Sequence, residues 1–148
     1  MFEPTGLPRD AASVLFDLPG YRVVHAVDDV DGDGRPVRVV TIASTAVEAA
    51  CPACGVLSGR VHQVRASRLR DIPMAGRVEV VLRRRRFVCA ETRCEKRTFA
   101  EVTDQVPLRA KATTRLRTAV LDAVICSGRA VIEVAAAHGI AWWTVQAA

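Results

Sequence analysis

Lysine is almost missing from this chain of 148 residues: nineteen of its twenty-one basic residues are arginine. Arginine's planar fork suits bidentate contacts to phosphate and guanine, although a GC-rich coding sequence leaves the same bias, so the excess alone decides little. Long apolar runs are missing too. No stretch reaches the length of a membrane span, and the opening Met1-Phe-Glu-Pro-Thr-Gly-Leu-Pro-Arg-Asp10 lacks the basic start and apolar run of an export signal. Without export to an oxidising compartment, a disulfide framework is disfavoured for the few cysteines present. What is there is half hydrophobic, enough for one ordinary domain or two small ones.

Four of the five cysteines form two close pairs, Cys51-Pro-Ala-Cys54-Gly55 and Cys89-x4-Cys94. Two short pairs joined by a segment that returns as a hairpin present four thiolates tetrahedrally to one Zn2+. Gly55 allows the positive φ that a knuckle needs, and Pro52 stiffens it from the other end. The second spacer, Ala90 to Arg93, is looser but within the accepted ligand spacing. Cys126 stands alone in an apolar helical segment and reads as a small core residue. The expected metal set is Cys51, Cys54, Cys89 and Cys94 around one structural Zn2+; four thiolates leave no open position for catalysis.

Charge is unevenly spread. Residues 1 to 50 hold four arginines against eight acids, a net of −4, whereas residues 51 to 118 hold sixteen basic residues against six acids, a net of +10. A four-thiolate zinc centre subtracts about 2 from that figure and still leaves a polyanion footprint. Arg83, Arg84, Arg85 and Arg86 lie on a predicted strand, Val78 to Val88, so alternation projects them from both faces. Two readings stay open: contacts to a nucleic-acid backbone, or an edge strand blunted by charge. Lys96 and Arg97 join the phosphate-contact candidates, with Arg65, Arg68 and Arg70 behind them.

The remaining segments set the architecture. Residues 10 to 17 predict a short helix capped by Asp10 and closed by Pro19-Gly20. Runs 21 to 27 and 37 to 43 predict a hairpin around an acidic tip. That tip matches the start of an EF-hand loop at Asp29, Asp31, Asp33 and Gly34, but Val40 stands where the bidentate glutamate belongs, so a solvated tip is expected. A further strand is predicted over 68 to 72, with Phe99 as the apolar lid of the zinc site. From Thr113 the periodicity turns helical. One helix runs to Ser127-Gly128, a second from about Ala130 to His138, and a third from about Trp142, with the small Ala135, turn Gly139 and apolar Ile140 and Val145 spaced as in a helix-turn-helix. An αα-hairpin with no DNA role shows much of the same pattern. On the DNA reading Trp143, Thr144 and Gln146 are the exposed base-contact candidates, Gln146 being able to pair bidentately with adenine. Val145 belongs to the core.

In order, Cys-Pro-x-Cys-Gly, Leu69-Arg-Asp71-Ile-Pro73, Arg85-Arg-Phe-x-Cys89 with Cys94, Thr98-Phe99-x-Glu101, then Thr113 or Thr114 opening the helices and Gly139-Ile-Ala-Trp142-x-Thr-Val145, the motifs resemble the N-terminal part of the ISL-three family of insertion-sequence transposases over residues 20 to 148. The resemblance implies a zinc-binding domain and a helix-turn-helix that together recognise terminal inverted repeats in double-stranded DNA. In that family a downstream RNase-H-like domain carries the catalytic acids, so no catalytic residue is assigned here and the chain is not expected to be an enzyme. The expected fold is α+β: a tail with a short helix over 1 to 19, a hairpin and β-rich zinc ribbon with linker over 20 to 110, and an all-α helix-turn-helix over 111 to 148. Expected too are a bacterial cytoplasmic, nucleoid-associated location, no membrane partner, and monomer or homodimer as open states. The alternative is a stand-alone zinc-ribbon regulator or adaptor that binds nucleic acid or an acidic protein.

Overall fold

A computed structural model describes residues 9–147; the first eight residues of the predicted N-terminal tail lie outside the described residues. Helix α1 (Ala11–Phe16) starts where Asp10 accepts the Ser13 amide, a bond that holds the Asp10 carboxyl below its ordinary range. Strands β1 (Tyr21–Val30) and β2 (Pro36–Ser44) form the predicted antiparallel hairpin. Its acidic tip is organised rather than simply solvated. Asp31 accepts the Asp33 and Arg35 amides and pairs with Arg77, contacts that keep its carboxyl below the usual range.

The short pair β3 (Ala49–Ala50) and β4 (Leu57–Ser58) flanks the first cysteine knuckle. Strand β5 (Val61–Arg70) then runs antiparallel to β6 (Val78–Val88), and β7 (Thr98–Ala100) returns along the end of β6. The strand predicted over 68 to 72 therefore begins at Val61 and ends two residues early. Asp71 turns inward to a charge partner, and Pro73 has no amide to offer a ladder. Among the described residues the main sheet has five strands in the order β1-β2-β6-β5, with β7 on β6. β2 pairs in parallel with residues 78–82 of β6 and β7 takes the same side at residues 86–88, while β5 lines the other side throughout, so the arginine run lies between paired segments and not on a free edge strand.

Alternation along β6 explains where the cores sit. Val78, Val80 and Leu82 share one face and bury against Val40, Ile42 and Leu69, under Phe16, Leu18, Tyr21 and Val106. Tyr21 donates to or accepts from Thr103 at 2.6 Å, and burial raises its phenol pKa. Phe87 projects from the opposite face, five residues further on. There it packs on Phe99, its direct cross-strand partner, and on Cys51. The two cores thus occupy opposite faces and opposite ends of one strand.

A third core holds the C-terminal helices. Helix α2 (Thr114–Leu121) widens into a π-helical turn (Asp122–Cys126); α3 (Val131–His138) and α4 (Trp142–Gln146) follow. Leu116, Val120, Val134, Ala135 and Val145 are buried together, sealed by Ile72, Ala112 and Ile140. Gly139 ends α3 at φ 62°, and a side chain there would crowd Arg77 at 3.2 Å. Cys126 is exposed, not the core residue expected of it, because the π-helical turn buries none of its residues. Among the described residues no helix is long and apolar enough to cross a membrane.

Candidate metal centre

The first knuckle closes on itself: the Gly55 amide donates to Cys51 O at 2.8 Å with Gly55 at φ 74°, and the Cys51 amide donates to Val56 O. The second sits in the β6–β7 connection, where the Cys89 amide donates to Arg97 O and the Cys94 amide to Glu91 O. Two bonds stitch the knuckles together. Ser58 Oγ donates to Val88 O, and the Val88 amide donates to Arg60 O at 2.8 Å. The chain thereby brings all four sulfurs within 4.8 Å of one another.

Zinc bonded to four sulfurs at ~2.3 Å spaces them ~3.8 Å apart in a tetrahedron. Cys51 and Cys94 Sγ stand 3.8 Å apart, and Cys54 and Cys89 Sγ 3.5 Å apart. The donor set and its spacing fit one structural zinc ion. Four thiols this close do not ionise together without a cation. Burial opposes ionisation of Cys51, but amides of Cys54 and Ala53 and the neighbouring thiols bring it down to about 7. Cys89, despite the Glu91 amide, is pushed up to about 12 by burial and by the other thiols. Phe99 takes its expected place in the same core as Cys51, Cys89 and Cys94.

The predicted cations fall into different environments. Arg85 is committed internally: its Nε and Nη2 donate to the two carboxylate oxygens of buried Glu101 at 3.0 and 2.6 Å, Nη2 reaches Ala46 O, and the guanidinium lies 4.9 Å from the Phe87 ring centre. Arg84 is half-buried, its Nε sealed from solvent without a partner among the described residues. Arg68 pairs with Glu79. Arg83 and Arg86 are exposed, as are Lys96, Arg97, Arg65 and Arg70. Arg86 Nε donates to Thr98 Oγ1 at 2.8 Å. On α4, Trp142, Trp143 and Gln146 are exposed, Thr144 is half-buried and Val145 is buried.

Sequence reasoning missed the hub that fastens the helices to the sheet. The Asp71 carboxylate is wholly buried and accepts from Thr113 Oγ1 at 2.6 Å, from the Ile72 amide, and from Arg115 Nε and Nη2 at 2.9 and 2.6 Å. Arg115 Nη1 also donates to Phe16 O and Asp17 O. Thr113, not Thr114, is the N-cap of α2. The signal available was Asp71 itself, an acid between apolar Leu69 and Ile72 in a basic segment.

With this geometry in view, the comparison with known families decides what the cysteine module is. Residues 48–94 match the family model described as zinc-finger of transposase IS204/IS1001/IS1096/IS1165. This region is similar to the zinc ribbon of ISL-three transposases. No curated protein and no solved structure matches the chain. A zinc ribbon is a binding module, and one of the transposase type points to nucleic acid as what it binds.

Proposed function

We propose that the chain is the DNA-binding part of an insertion-sequence transposase, recognising the element's terminal inverted repeats on double-stranded DNA. The match of residues 48–94 to a transposase zinc finger carries this reading. In it, α3, the Gly139 turn and α4 form a helix-turn-helix. The left-handed Gly139, the buried Ala135 and Val145 and the exposed face of α4 support that assignment. Trp143, Thr144 and Gln146 read bases, while exposed cations of the ribbon hold phosphates. Binding rather than cleavage is the role this reading gives these residues, and the acids nearest the sheet and hub, Asp71, Glu101, Asp31 and Glu79, serve as partners of arginines. The protein then works on the bacterial nucleoid in the cytoplasm, a homodimer being suited to two symmetric ends.

The test is fluorescence anisotropy with the full chain and a duplex carrying the inverted repeat that flanks its gene, against a scrambled duplex. At physiological salt the repeat should bind tighter by about 10³ or more. Gln146→Ala should erode that preference without abolishing binding to the scrambled sequence. Equal affinity for both duplexes overturns the reading.

A further inference from the structure

The two sheet cores leave two faces of β6 uncovered, and these differ in charge chemistry. On the near half, the face away from Val80 carries Glu79, whose carboxylate is paired with Arg68. On the far half, the face away from Phe87 is that of Arg84, Arg86 and Val88. Cross-strand partners share a face, so Arg65 (opposite Arg84), Gln63 (opposite Arg86) and Thr98 (opposite Val88) lie on it as well. It continues into a cleft of about 660 Å³ beside the second knuckle, lined by Arg60, His62, Val88, Lys96, Arg97 and Thr98 among others.

Among the described residues no carboxylate pairs with Arg60, Arg65, Arg86, Lys96 or Arg97. Glu91 also borders the cleft, but its Oε1 accepts the Arg93 amide at 2.9 Å. These five cations outweigh Glu91 together with the charge of about −2 on a four-thiolate zinc centre. Four of the five are arginine forks, which match phosphate oxygens, and the Thr98 hydroxyl in the wall, which accepts from Arg86 Nε, keeps its own proton as a neutral donor. Arg83, though adjacent in sequence, lies opposite Ala66 on the other face.

We propose that this face, from Arg65 and Arg86 into the Arg60–Lys96 cleft, is the phosphate-backbone site of the zinc ribbon, and that the opposite face bearing Arg83 is not. The assignment rests on the DNA-binding reading above and adds which face of the ribbon meets the duplex. The zinc centre's part is to hold the Arg60 strand end and the Lys96 loop on the two sides of one cleft.

The experiment measures salt dependence of binding by the full chain to a ~30-bp duplex of arbitrary sequence, between ~50 and ~200 mM KCl. Zinc content and melting temperature confirm that each variant is folded. Arg60→Ala/Arg86→Ala/Lys96→Ala should flatten the slope of log K against log salt by about 2–3 units and weaken all duplexes alike. Arg83→Ala should leave the slope unchanged. A zinc-loaded triple variant with the wild-type slope overturns the site, as does Arg83→Ala flattening the slope as much as Arg86→Ala alone. Tighter binding of a single-stranded RNA through the same three residues overturns the choice of duplex DNA. If the wild-type chain binds no duplex at all, the functional reading itself fails.

Discussion

Asp71 shows how one carboxylate organises a junction between elements that are far apart in sequence. Its oxygens take the side chain of the α2 cap and both arms of a guanidinium that itself holds the end of α1. A carboxylate with no exposure is costly to desolvate, and the bidentate partner with its added hydrogen bonds is what offsets that cost. Asp71→Ala leaves Arg115 buried against Phe16 without a counter-charge. We expect a loss of about 3–5 kcal/mol in urea unfolding. Thr113→Val, which removes the cap and one hydrogen bond but keeps the ion pair, should cost about 1–2 kcal/mol. If both variants melt alike, the ion pair is not the principal fastening. An acid in the motif was visible in the sequence; its partner, 44 residues away, was not, because no local period links a strand end to a helix start.

Strand β6 carries the contrast between what a linear pattern tells and what pairing adds. Its existence, its bounds and the projection of its arginines from two faces follow from alternation alone, and so do the β1–β2 hairpin and the spans of the C-terminal helices. Its interior position does not, since the parallel β2–β6 pairing joins segments separated by the whole first knuckle. Four consecutive arginines therefore read as one cationic unit when they are three different things: an exposed pair at Arg83 and Arg86, a half-sealed Arg84, and Arg85 locked to Glu101. Stability should separate them. Arg85→Ala strands a buried Glu101 and uncovers Phe87, at a cost of about 3 kcal/mol, whereas Arg83→Ala should stay within about 0.5 kcal/mol of the parent. Equal destabilisation by the two would mean that the strand's charge, rather than its pairing, sets its energetics. The motif Arg85-x-Phe87 and its counterpart Phe99-x-Glu101 then have one explanation, since each residue of one packs on a residue of the other.

At the scale of the whole molecule, the metal serves one of the three hydrophobic cores found among the described residues. Cys51, Cys89 and Cys94 belong to the Phe87–Phe99 cluster, whereas the cluster around Ile42 and Val80 and the helical cluster around Val134 contain no metal ligand. Structural zinc contributes about 10–16 kcal/mol in small finger peptides, comparable to the entire stability of a typical domain. The metal end of the sheet adds to it the three short strands β3, β4 and β7, two packed aromatic rings and the Arg85–Glu101 pair, a small set of contacts beside that contribution. The other end keeps its own apolar core, and the Asp71 hub, which is not built on the cysteines, ties the helices to it. Chelation, or Cys89→Ser, should therefore unfold the protein in part. In hydrogen exchange, amides of Ala49–Ala50, Leu57–Ser58, Phe87–Val88 and Thr98–Ala100 should lose protection, while those of Val40–Ile42, Val80–Leu82 and α2 keep it. Because the proposed phosphate face has one wall on each side of the zinc seam, duplex affinity should fall with the metal even though the helices persist. A single cooperative loss of protection across all three clusters would show that the sheet's two ends fold as one unit and that zinc holds the whole molecule.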